Sequence, residues 1–150
     1  NICTCDGNPI AWVKQCRYLG IFICSSRRFK VSFSKAKASY YRSFNAIFGK
    51  IGRVASEEVT LHLMDSKCMP SLLYGLEACP LTSSDMKSLE FPINRSLMKV
   101  FSTGNINIIT ECREFFNFRS ISSRLDRRKQ IFLNCYAASV NIVCKAVSRI

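Results

Sequence analysis

The sequence predicts an α+β protein, mainly α, in which short N-terminal antiparallel β-hairpins precede a helical bundle. Three observations predict it. Before Ser34 the apolar residues come in short runs between turn clusters, and Phe29, Val31 and Phe33 alternate with Arg28, Lys30 and Ser32, the period of a half-buried strand. From Ser34 the pattern becomes helical: at about 100° per residue, Tyr40, Phe44, Ile47, Phe48 and Ile51 fall on one side. The chain has 150 residues, 48% of them hydrophobic, enough to bury a real core.

The elements follow in order. Ile2–Cys5 and Ile10–Val13 flank Asp6-Gly7-Asn8-Pro9, a turn cluster, and predict a hairpin. Tyr18–Cys24 reads as a mostly apolar strand with Gly20 inside it. A glycine there weakens a strand and is tolerated where another backbone or a ligand comes close. Ser25-Ser26-Arg27 turns the chain. Ser34 is placed as an N-cap, with Lys35, Arg42 and Lys50 in one stripe opposite the apolar side of the helix and Gly52 ending it. Ser56-Glu57-Glu58 starts a helix that runs through Leu61, Leu63 and Met64 to Cys68. Pro70 breaks or kinks it, and Ser71–Ala78 continues as a second helical piece before Pro80. Ser84-Asp85 starts another helix, with Met86, Leu89, Ile93, Leu97, Val100 and Phe101 as its apolar stripe and Pro92 as a kink. Thr103–Asn107 is a loop, Ile108–Phe118 a short amphipathic helix, and Ser122–Val147 one last long helix carrying Leu125, Phe132, Leu133, Tyr136, Val140 and Val143. The predicted division is residues 1–33 as the β element and 34–150 as the helical region.

The net charge is +12, unevenly spread. Residues 1–56 hold 10 basic residues and one acid, residues 57–118 hold 5 and 8, and residues 119–150 hold 7 and one. Two basic arms thus flank a slightly acidic middle. Such an excess favours a polyanion, most simply nucleic acid; the alternatives are an acidic protein partner or a merely soluble surface. No apolar run of about 18 residues predicts a membrane span, and Asp6, Gly7 and Pro9 interrupt any signal-peptide core. A chain beginning at Asn1 is expected to be a fragment or a processed product.

Nine cysteines, an odd and scattered set, do not suggest a disulfide framework. Most have apolar sequence neighbours and are expected to be small core residues of an intracellular, reducing compartment. Cys3-Thr4-Cys5 is followed by cysteines 11 and 19 residues beyond Cys5, which is not a zinc spacing. His62 is expected at the core or its boundary. No catalytic or metal-ligating constellation is found. Glu57-Glu58 suits a first helical turn, Glu111 and Glu114 read as a solvated pair, and Gly49-Lys50-Ile51-Gly52 lacks the spacing of a phosphate loop. The chain alone reads as a binding module.

Two motifs then combine with the charge pattern. Tyr18-Leu19-Gly20 within RYLGIFI, and Pro70-Ser71-Leu72-Leu73-Tyr74-Gly75-Leu76-Glu77, occur in this order. The chain resembles, from about Ile2 to Leu133, the end of the palm and the thumb of a non-LTR (LINE-type, jockey-like) retrotransposon reverse transcriptase. That resemblance implies a fragment of an RNA-directed DNA polymerase. Its partners would be an RNA–DNA hybrid or RNA template and the rest of the polymerase, fingers and palm, in the cytoplasm and nucleus. The family's two-magnesium aspartates lie in an aromatic-Ala-Asp-Asp box that this sequence lacks, so the fragment is expected to be inactive alone and to hold no cofactor, with Mg expected in the parent polymerase. Gly20 would lie near the duplex or pack at the palm–thumb joint.

A near-A-form hybrid offers a wide, shallow minor groove in which a helix can touch sugars and phosphates. Lys35, Lys37 and Arg42 are the first candidates for those contacts, followed by Lys14, Arg17, Arg27, Arg28 and Lys30 on the β element. Arg124, Arg127, Arg128 and Lys129 form a second basic patch that either meets template RNA or keeps the surface soluble. Tyr74 and Tyr136 are expected in the core. The alternative reading is a stand-alone basic helical module that binds nucleic acid or an acidic protein.

Overall fold

The computed structural model describes residues 2–52 and 54–147. Its chain forms two compact units, residues 1–32 and residues 33–150. The architecture is α+β and mainly α, a three-stranded antiparallel sheet followed by helices.

In the first unit, β1 (Gln15–Tyr18), β2 (Ile21–Cys24) and β3 (Lys30–Ser32) pair antiparallel in that order. The expected single strand Tyr18–Cys24 is therefore two strand ends and a turn. Tyr18 pairs with Ile21, and the two residues between them, Leu19 at φ 45° and Gly20 at φ 88°, both adopt positive φ. That is the backbone of the type I′ hairpin loop, whose twist matches that of the flanking strands. Gly20 thus serves a tight turn and not a close approach within a strand. The register places Arg17 opposite Phe22, and Phe22 opposite Ser32; Gln15 opposite Cys24, and Cys24 opposite Lys30. Since opposite residues share a face, one face carries Gln15, Arg17, Lys30 and Ser32 around Phe22 and Cys24. The other carries Cys16, Tyr18, Ile21, Ile23 and Val31, and Val31 is buried.

The predicted first hairpin shrinks to a single bridge between Cys3 and Pro9. Thr4 N–H donates to the Asn8 carbonyl at 2.8 Å, and Gly7, at φ 78°, donates to the Thr4 carbonyl at 2.9 Å. The turn cluster folds as read, but its arms are too short for strands, and residues 2–20 are all exposed.

In the second unit, α1 (Ser34–Ile51) buries Tyr40 and Phe44 and partly buries Ile47 and Phe48, as its period predicts. Its N-cap is Phe33, in helical conformation and without a side-chain cap, so Ser34 is the first helical residue and not the cap. At the far end, Gly52 keeps φ −64°. The glycine is required for space: a Cβ there would come within 2.6 Å of the Phe48 carbonyl oxygen and ring.

Ser56 caps α2 (Glu57–Leu63) by accepting from Val59 N–H. The chain then widens into one π-helical segment, Met64–Cys68, in which Met69 N–H reaches back to the Met64 carbonyl. The short α3 (Met69–Leu72) follows, with Pro70 in its first turn. A proline lacks an N–H and its ring crowds the carbonyl four residues back; the wider turn lets the helix pass through it. The expected helical piece Ser71–Ala78 is split, because Gly75 at φ 70° reverses the chain ahead of a 3₁₀ turn, Leu76–Ala78.

Thr82 and Asp85 form a capping box for α4 (Ser83–Val100), one residue upstream of the expected start. Its stripe Leu89, Pro92, Ile93 and Leu97 is buried. The helix α5 (Ile106–Phe115) begins two residues early, capped by Asn105. The predicted last helix divides into α6 (Ile121–Ala137), capped by Ser120, and α7 (Ile142–Val147), with an exposed Val140 between them. The side chain of Val143 lies outside the described residues. The core joins α1, the π segment, α3, α4, α5 and the start of α6.

Most cysteines are not core residues. Cys68 is buried, Cys24, Cys79, Cys112 and Cys144 are half-buried, and Cys3, Cys5, Cys16 and Cys135 are exposed. His62 is also exposed, one position round the helix from buried Leu61.

Candidate nucleic-acid interface

The face of α1 opposite its buried stripe consists of Lys35, Ala38, Arg42, Asn45, Ala46, Gly49 and Lys50, all exposed. The positions recur every three or four residues, so they share one side of the helix. From Lys35 to Lys50 the face runs about 22 Å at about 1.5 Å per residue. Small residues separate its three cations, and no acidic residue occurs anywhere in α1. A Cβ added at Gly49 would meet nothing within 4 Å, so the face stays open there. Among the described residues, the ion pairs engage Arg113, Arg124 and Arg128 and leave Lys35, Arg42 and Lys50 to solvent.

Lys37 does not join them. It sits nearly opposite Lys35 on the helix, and its Nζ donates to the Ser88 hydroxyl of α4. It fastens α1 to α4 inside the bundle. Lys99, from α4, is held in a similar way: it lies 4.9 Å from the Phe48 ring centroid and donates to Asn45 Oδ1 at 3.4 Å.

On the β unit, Lys14, Arg17, Arg27, Arg28 and Lys30 are exposed. Arg17 and Lys30 lie on the same face of the sheet by register. Lys14 is joined to Ser25 by the ladder's last bond, 2.9 Å from Ser25 N–H to the Lys14 carbonyl, and belongs to the opposite face. Arg27 and Arg28 occupy the β2–β3 connection. Trp12, 83% exposed, lies just upstream of β1.

The second basic patch separates by role. Arg124 pairs with Asp65 of the π segment, donates through Nε to the Arg119 carbonyl at 3.0 Å and lies 4.9 Å from the Phe118 ring centroid. Arg128 meets Glu77 at 3.2 Å. Both fasten α6 to the chain around PSLLYGLE. Arg127 and Lys129 remain exposed. Arg119, which sequence reasoning missed, stands just before the α6 cap, exposed and close to this cluster; its only signal was being another arginine in a basic segment. Tyr74 is 58% exposed instead of in the core: it stands between the end of α3 and the reversal at left-handed Gly75, while Leu72, Leu73 and Leu76 are buried.

Among the described residues no group of three or more His, Cys, Asp or Glu side chains gathers as metal ligands. The resemblance implies magnesium only at an aromatic-Ala-Asp-Asp box, which this sequence lacks, and no residue here is assigned to it. No described helix is long and apolar enough to cross a membrane. Compared with protein-family models, curated proteins and solved structures, the chain matches none.

Proposed function

We propose that this chain is the end of the palm and the thumb of a non-LTR reverse transcriptase, and that it grips the RNA–DNA primer–template duplex without supplying catalytic aspartates. The observation that favours this reading is the exposed face of α1: three cations, no acid and small residues between them. Such a face suits a shallow groove lined by phosphates, where small side chains allow close approach and the cations displace counterions. The order of elements, an antiparallel sheet and then helices, accords with a palm edge followed by a thumb. The two quoted motifs acquire physical roles. Leu19-Gly20 makes the β1–β2 turn, and Pro70–Glu77 contributes buried leucines, the Gly75 reversal and the Glu77 anchor for α6.

The test is fluorescence anisotropy of a labelled RNA–DNA hybrid with the full chain across a salt series. The expected result is binding that weakens linearly in log salt, with little difference between unrelated sequences. No salt-dependent binding would overturn the reading. An upstream reading frame continuous with the Asn1 codon should also encode an aromatic-Ala-Asp-Asp box; a frame without one would leave a binding protein that is not part of a polymerase.

A further inference from the structure

The geometry points to a phosphate-binding pocket where α6 lies against the π segment and α3. A cavity of about 210 Å³ is lined by Arg119, Arg124, Arg127 and Arg128 together with Asp65 and the apolar Met69, Pro70 and Leu73. Its lining thus holds four arginines and one carboxylate. Even when Glu77, the partner of Arg128, is included, two positive charges are left over.

Two of the four arginines are already fixed. Arg124 is held by Asp65, the Arg119 carbonyl and the Phe118 ring, and its side chain is only 15% exposed. Arg128 is held by Glu77. A cation fixed before the ligand arrives loses less freedom on binding. Arg119 and Arg127 are exposed, and among the described residues neither joins an ion pair. The site thus combines a rigid floor with two free arms. Guanidinium forks match the oxygens of a phosphate two at a time, which a scatter of lysines would not.

The π segment helps to create this arrangement. It precedes Pro70 and carries Asp65 to Arg124, while Pro70 itself lines the cavity. The ligand is a phosphate group. It is supplied either by the sugar–phosphate backbone of the duplex, an assignment that rests on the proposed function, or by a free phosphate, which does not depend on it.

The experiment compares the full chain with R119K/R127K, which keeps the charge but removes both forks. Both positions are exposed, so the variant should unfold at the same temperature as the unaltered chain. In the first arm, labelled RNA–DNA hybrid is titrated at fixed salt. A backbone phosphate in the pocket predicts at least about tenfold weaker binding by the variant, tenfold being what the loss of either fork alone would give. In the second arm, inorganic phosphate is added at constant ionic strength and the melting temperature followed. A free-phosphate site predicts stabilisation of the unaltered chain that the variant lacks. Equal hybrid affinity together with equal phosphate response would overturn the pocket. If the unaltered chain binds hybrid and the variant matches it in both arms, the pocket fails and the functional reading stands. If the unaltered chain binds no hybrid, the functional reading fails and the phosphate arm decides the pocket.

Discussion

The Arg128 guanidinium of α6 meets the Glu77 carboxylate of the 3₁₀ turn at 3.2 Å, and one helical turn earlier Arg124 pairs with Asp65 of the π segment. Two ion pairs four residues apart on α6 thus fasten that helix to the segment around Pro70 and Gly75. Arg124 is the more enclosed of the two arginines and also meets Phe118 and the Arg119 carbonyl. Asp65→Ala should lower stability by about 1–2 kcal/mol, the worth of a partly exposed charge-assisted hydrogen bond. Arg124→Ala should cost more, because its stacking on Phe118 goes as well. Urea denaturation of the two single variants and the double variant measures the coupling, expected near 1 kcal/mol. Strict additivity would show that the pair contributes nothing.

The Leu19–Gly20 turn makes an opposed pair of predictions. Gly20 at φ 88° occupies a region closed to most side chains, and Leu19 at φ 45° holds one that asparagine tolerates better. Gly20→Val should destabilise the hairpin by about 1–3 kcal/mol, and Leu19→Asn should stabilise it. Amide exchange at Ile21–Cys24 reads both effects: faster in the first variant and slower in the second. Unchanged exchange in Gly20→Val would contradict the turn.

Burial pushes the Cys68 thiol from its ordinary 9.0 up to about 11, and burial also raises the Tyr40 hydroxyl, which has no hydrogen-bond partner of ordinary geometry. Both groups are neutral when protonated, and both fold with a raised pKa. Their contribution is complete below the unfolded values and is lost as pH climbs through the folded ones. Stability to urea should therefore fall from about pH 9 upward, and Cys68→Ala should flatten that fall between about pH 9 and 11. A thiol reagent at neutral pH should modify exposed Cys3, Cys5, Cys16 and Cys135 first and reach Cys68 only on unfolding.

The helical region was legible where periodicity is long. Tyr40 and Phe44 on α1, and Leu89, Ile93 and Leu97 on α4, are buried as their spacing required. Gly20 was not legible, because RYLGIFI is an apolar run without a polar turn residue, and leucine is an unusual occupant of a positive-φ position. The cysteines misled because apolar neighbours in sequence do not make a residue buried, least of all in residues 2–20, which are exposed throughout. Pro70 announced a disruption but not its form as a π segment. For Lys37 a signal existed: it lies two residues from Lys35, nearly half a turn round the helix, on the side that meets α4. The tasks of Arg124 and Arg128 could not be read, since Asp65 and Glu77 lie 59 and 51 residues away in sequence.

The proposed grip on the duplex rests most directly on α1, and the decisive measurement is the salt dependence of hybrid binding by the full chain, K35A/R42A and K37A. Lys35 and Arg42 stand exposed on the acid-free face, whereas Lys37 is committed to Ser88. K35A/R42A should weaken binding and reduce the log–log salt slope by about two, one for each phosphate no longer neutralised. K37A should lower stability with little change in slope. A K35A/R42A protein with unaltered affinity and slope would contradict the placement of nucleic acid on this helix.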